Sequence, residues 1–98
     1  MTYTNWKGMD TMKITPLDQA GSHKTGTLTG ISKDQIIEVL GFEPNVDDDP
    51  DKVVNSWGFK INNKTFGIWD YKGSHKLNSW SCYGDREVFK KLFGSYYS

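Results

Sequence analysis

A single cysteine in 98 residues rules out an intramolecular disulfide framework and any multi-cysteine zinc site, so the core must stand on packing alone. Long apolar runs are missing as well. At 36% hydrophobic residues and a mean hydropathy of -0.65, no stretch could cross a bilayer or act as a secretory h-region, which predicts a soluble, cytoplasmic protein with no membrane partner. Charge of one sign is also lacking. Twelve Lys and Arg balance twelve Asp and Glu, so no global field draws the chain onto DNA or RNA, and general nucleic-acid binding is not expected. What is abundant is aromatic side chain: four Trp, five Tyr and five Phe give a short chain the buried area that a fold needs. The length suits one domain, because a second core would leave each half too small.

Residues 1–12 hold all three methionines and show no periodicity, which predicts a flexible N-terminal arm before a single domain over 13–98. Met1, Met9 and Met12 are all candidate starts, and Trp6 is the residue of the arm suited to docking. Thr25, Thr27 and Thr29 alternate with Gly26, Leu28 and Gly30, predicting a weak edge strand. Ser32-Lys-Asp-Gln35 is a capping box, and Gly41 with Pro44 ends the helix, giving about Lys33 to Leu40 with Ile36, Val39 and Leu40 on one face and Ile37 at its flank. Val53 to Ile61 and Lys64 to Tyr71 flank Asn62-Asn63, whose tolerance of positive φ suits a two-residue hairpin turn. The register then follows: Phe59 faces Phe66 and Trp57 faces Ile68 on the buried side, with Gly58 against Gly67 and Ser56 against Trp69 on the reverse. Leu77 to Tyr83 reads as a last strand. Asp85 caps a final helix, Arg86 to Phe93, whose Val88, Phe89, Leu92 and Phe93 form an apolar stripe. The expected fold is α+β, order β-α-β-β-β-α, an antiparallel sheet with two helices on one face and the other face open to water or a partner. The central core is expected from Trp57, Phe59, Phe66 and Ile68 with Ile36, Leu40, Val88 and Leu92.

Several segments taken together, Thr25-Gly-Thr-Leu-Thr-Gly30, Ile36 to Pro44, Asp51-Lys-Val53, Ser56-Trp-Gly-Phe59, Gly67-Ile-Trp-Asp-Tyr-Lys72 and Trp80 to Gly84, resemble a group of small bacteriophage and prophage accessory proteins. That group carries a G-x-L-x-G strand, a helix ending in FG-x-P, then D-x-K-V with a following Trp, an A-x-I-Y-D-W-K-like strand and a W-x-I-G-G-like end. The match runs from about Ile14 to Gly84. Trp69 and Tyr71 stand in swapped aromatic order, and Cys82-Tyr83-Gly84 replaces Ile-Gly-Gly. The resemblance implies a phage-encoded protein acting in the cytoplasm of a bacterial host, and it supplies no catalytic residue.

The chemistry-bearing motifs are incomplete. Asp47-Asp-Asp-Pro-Asp51 begins like an EF-hand loop, but Lys52 stands where Gly is needed and Gly58 where the bidentate Glu belongs. Gly21 to Gly26 has P-loop glycine spacing with Thr27 and Leu28 in place of Lys and Ser/Thr. Cys82 has no neighbouring His and falls on an apolar strand face, as a small buried hydrophobe would. No metal or cofactor is implied. Gly-Ser-His-Lys occurs at 21–24 and again at 73–76, and His23-Lys-Thr25 fits the H-x-T signature of two-histidine phosphoesterases, while His75-Lys-Leu77 lacks the hydroxyl.

Two functions remain on this reading. The first is a non-enzymatic binding protein, engaged in counter-defence by binding a host protein or sequestering a small nucleotide-type ligand, as a monomer or a homo-oligomer. Its site would be the reverse face of the hairpin, where the bare backbone of Gly58 and Gly67 lies among Lys60, Trp69, Tyr71 and Lys72 and could receive a stacked ring with an anionic group; the other account of the glycines is that they relieve crowding by Trp69 or by an overlying N-terminal arm. The alternative is a small metal-independent hydrolase or lyase acting on a nucleotide signal, with His23, His75, Lys24 and Asp70 as acid, base and phosphate ligands.

Overall fold

The computed structural model describes residues 13–19, 21, 23–47 and 53–98. The Met1–Met12 arm with Trp6, and most of the acidic loop at 48–52, lie outside the described residues.

Five antiparallel strands form one sheet in the order β1-β3-β4-β5-β2: β1 (Thr15–Pro16), β2 (Gly26–Thr29), β3 (Val53–Ile61), β4 (Lys64–Tyr71) and β5 (Ser79–Tyr83). Among the described residues two helices, α1 (Lys33–Leu40) and α2 (Arg86–Phe93), complete an α+β fold. This is the expected order with one more strand in front. β1 has two residues and contains Pro16, which has no N–H to donate and is tolerated at a sheet edge. Two residues are too few for an alternation pattern, so nothing announced it.

The hairpin register is the expected one, with Ile61 opposite Lys64, Phe59 opposite Phe66 and Trp57 opposite Ile68. Asn62 and Asn63 both take positive φ, at 49° and 68°, as the turn requires. The capping box also forms: Gln35 N–H donates to Ser32 Oγ at 3.2 Å, and Ser32 N–H donates to Gln35 Oε1 at 2.9 Å.

Both helices pack on the face carrying Trp57, Phe59, Phe66, Ile68, Trp80 and Cys82, all essentially inaccessible. Two details of the expected core change. In α1, Ile36 and Leu40 are buried, but Val39 is exposed and Ile37 packs in its place. In α2, Phe89 and Phe93 hold the centre, while Val88 and Leu92 lie half-buried at the flank. The larger ring decides the rotation of α2: Phe89 meets Phe66 at 5.6 Å and Phe59 at 6.3 Å, edge to face. Two short 3-10 helices, Ser74–Leu77 and Gly94–Tyr96, were not expected. The first takes Leu77 out of the predicted last strand and leaves it 80% exposed. After the second, Tyr97 returns to the core, stacks on Phe89 at 5.0 Å and bridges to Leu28, so that the C-terminal residues cover the β2 edge.

The reverse face of the sheet is partly closed by the chain itself. Leu17 N–H donates to Gly58 O at 2.9 Å, and the Asn45 side chain ties Leu17 O to both polar groups of the Gly58 backbone. A face left wholly to water or a partner is therefore corrected to one overlaid at its middle by Leu17, Gln19 and Gly21.

Candidate functional site

The sites expected from sequence fall in three separate places. At the middle of the hairpin, Gly58 and Gly67 are buried. A Cβ on Gly58 would stand 2.3 Å from the carbonyl oxygens of Leu17 and Gln19, and one on Gly67 would stand 3.0 Å from Gly21. Gly21 in turn lies against the Trp69 indole, where a Cβ would come within 2.6 Å of Cζ3. The close approach that the facing glycines allow, and the stacking that Trp69 offers, are thus used by the chain's own backbone.

Lys60 lies toward the hairpin turn, exposed beside Lys13, Thr15, Asn62 and Asn63. Tyr71 and Lys72 lie at the opposite end of the strands, with Lys72 Nζ 5.3 Å from the Tyr71 ring centre.

That second end carries the densest constellation. Alternation along β4 puts Phe66, Ile68 and Asp70 on the helix-covered face, and Asp70 is wholly buried. β3 is irregular between Val53 and Ser56, which turns two successive N–H groups toward β4. Asp70 Oδ1 accepts both, from Val54 at 2.9 Å and Asn55 at 2.8 Å, and Oδ2 accepts from Asn55 Nδ2 at 3.1 Å. A buried carboxylate needs such partners, and a further group arrives from the 3-10 helix: His75 Nδ1 lies against Asp70 Oδ2. Left-handed Lys72, Gly73 and Asn78, at φ of 54°, 79° and 53°, bend the chain so that His75 folds back. Its ring lies 6.2 Å from that of Trp80. Nδ1 is buried on the carboxylate, and the quarter of the side chain that meets solvent is the rest of the ring. An aspartate on Nδ1 fixes the imidazole's orientation. At this end of the strands Val54 is 70% exposed, Leu77 80% and Tyr71 44%, and alternation turns Tyr71 to the reverse side from Asp70.

The two His-Lys turns do not meet. His23 packs edge to face on Tyr83 at 5.1 Å, at the far end of β5 and on the reverse side of the sheet, whereas His75 sits by Trp80 near the start of β5 on the helix side. Lys24 stays with His23. Of the four residues of the hydrolase reading, the structure joins Asp70 and His75 and separates His23 and Lys24 from them. Burial pushes the Cys82 thiol well above its ordinary range, against a lowering by the Lys24 charge, which disfavours the thiolate a nucleophile needs. Among the described residues, no three His, Cys, Asp or Glu side chains group to hold a metal, and no helix is long and apolar enough to cross a membrane.

Sequence reasoning named Asp70, His75, Tyr71 and Lys72, but it missed Val54 and Leu77. Val54 owes its exposure to the irregularity in β3, and Leu77 to the 3-10 helix. The only local signal was the Lys72-Gly73 turn. Fold and site together define a small α+β domain with an Asp-His pair at one end of its sheet. No family model, curated protein or solved structure matches the chain.

Proposed function

We propose that this protein is a non-catalytic binding protein of the phage-accessory type, acting on a protein of the bacterial host in counter-defence. The observation that carries the reading is that this end of the strands leaves Val54, Tyr71 and Leu77 each exposed, with Lys72 beside the Tyr71 ring. Three large apolar side chains left exposed near one end of a small domain mark a candidate contact region. Tyr71 with Lys72 across its ring presents a flat amphipathic contact of the kind that anchors protein interfaces. The resemblance to phage accessory proteins supports the same setting.

A photo-crosslinking residue at position 77, read in bacterial cells, should give one discrete protein adduct that disappears with Val54→Lys. The same probe at Lys90, on α2, should give none. Equal labelling from both positions would count against a dedicated surface. One observation favours the hydrolase or lyase reading, the Asp70–His75 pair. His75→Ala separates the two: an enzyme loses turnover by orders of magnitude, whereas a docking surface built on Val54, Tyr71 and Leu77 keeps its partner.

A further inference from the structure

The hairpin end of the sheet carries an independent feature. β1 and β3 pair Thr15 with Lys60 and Pro16 with Phe59, so Thr15 and Lys60 stand side by side on the reverse face. Continuing the antiparallel register outward brings Lys13 alongside Asn62, at the turn. The N-terminal approach to β1 and the Asn62-Asn63 turn thereby enclose an open cleft of about 300 Å³ lined by Lys13, Thr15, Lys60, Asn62 and Asn63.

Every lining side chain offers a hydrogen-bond donor, and none is a carboxylate. Lys64, one residue beyond the turn, is paired with Asp85 at 2.7 Å, whereas Lys13 and Lys60 have no acidic partner among the described residues. The cleft thus brings together two positive charges that no described carboxylate pairs, on a chain whose net charge is zero. Its shape is held by a tight two-residue turn with both Asn left-handed. A volume near 300 Å³ is at the small end of ligand sites, enough for a phosphoryl group and a ring-sized substituent. Ammonium groups bind phosphate as point charges, with hydroxyl and amide donors completing the shell.

We infer that this cleft binds a phosphorylated small molecule, its phosphoryl group held by Lys13 and Lys60 with Thr15, Asn62 and Asn63 donating to the remaining oxygens. The site lies at the opposite end of the strands from the Val54, Tyr71 and Leu77 surface and does not depend on it.

The test is a proton-nitrogen NMR titration of the full chain at constant ionic strength. Inorganic pyrophosphate and a nucleoside monophosphate serve as separate probes, with sodium chloride as the control. Saturable shifts are expected at the backbone and side-chain amides of Asn62 and Asn63 with either phosphate and not with chloride. Tighter binding of the nucleotide would assign the rest of the cleft to its ring, and equal binding would limit recognition to the phosphoryl group. The double variant K13Q/K60Q should weaken binding at least about tenfold, while K90Q/K91Q on α2 leaves it unchanged. Shifts that fail to saturate, that follow chloride equally, or that survive K13Q/K60Q in a folded protein would overturn the proposal.

Discussion

Trp57 and Trp80 meet edge to face at 5.4 Å, and their indole N–H groups reach carbonyls at opposite ends of α1: Trp57 donates to Phe42 O at 3.0 Å and Trp80 to Ile31 O at 2.9 Å. The two rings therefore seat the helix on the sheet as well as filling the core. Trp57→Ala should cost on the order of 3 to 5 kcal/mol in urea unfolding, as for other emptied aromatic sites. Trp80→Phe keeps most of the ring and strands one carbonyl, a loss of about 1 to 2 kcal/mol. A Trp57→Ala cost under about 1 kcal/mol would show that its ring is not central.

Gly58→Ala should destabilise by roughly 1 to 3 kcal/mol, the range for forcing atoms into filled space. The Cβ would stand 2.3 Å from two backbone oxygens, so residues 17–19 must lift. Amide hydrogen exchange at Leu17 should accelerate, because its bond to Gly58 O is the one displaced. Unchanged protection would mean that this segment is not seated on the glycine.

Asp85 caps α2 by accepting from Glu87 N at 2.9 Å and also meets Lys64 Nζ at 2.7 Å. The Lys64 ammonium holds its carboxyl below the ordinary 3.8. The folded state therefore ionises it more easily than the unfolded state does. Its contribution is fully present above about pH 3.8 and is lost as pH falls through the folded value. Asp85→Ala should lower Tm at neutral pH, and the gap from the parent should narrow as the medium is acidified below 3.8. A gap independent of pH would remove the charge from the account.

Cys82 should resist iodoacetamide in the folded protein at mildly alkaline pH and react on unfolding, because burial suppresses its thiolate. Labelling measured across a urea series should follow the unfolding curve. Fast labelling without denaturant would contradict its burial.

How far these features could be read from sequence depends on how local their causes are. The hairpin register was legible because Asn62-Asn63 fixes the turn and alternation fixes the faces. The α1 ends were legible because Ser32, Gln35 and Gly41 act within one turn of the helix. Tyr97, by contrast, reaches the core only because Gly26 leaves room: a Cβ there would stand 2.2 Å from its hydroxyl oxygen. That contact joins residues near opposite ends of the chain, and no local rule proposes it. The Asp70–His75 pair was half legible. Both residues stood out as polar groups at a turn, but their meeting depends on left-handed Lys72 and Asn78, positions where sequence does not demand positive φ. The reverse face was half legible for a similar reason. Facing glycines signalled a close approach, by a ligand or by the chain's own N-terminal part, and the fold shows that Leu17, Gln19 and Gly21 make it.

The closure of the β2 edge has a consequence for the order in which the molecule comes together. β2 finds its ladder partner in β5, and Thr25 bonds to Gly84 across 59 positions of sequence. On its other side, Thr27 exchanges two hydrogen bonds with Ser98. During vectorial synthesis β2 emerges early and waits, with both its edges unpaired, until residues 79–98 have left the ribosome. The β3–β4 hairpin needs no such delay. Assembly should start there and run outward, with β2 the last strand to lock, which places this chain among the slower folders for its size.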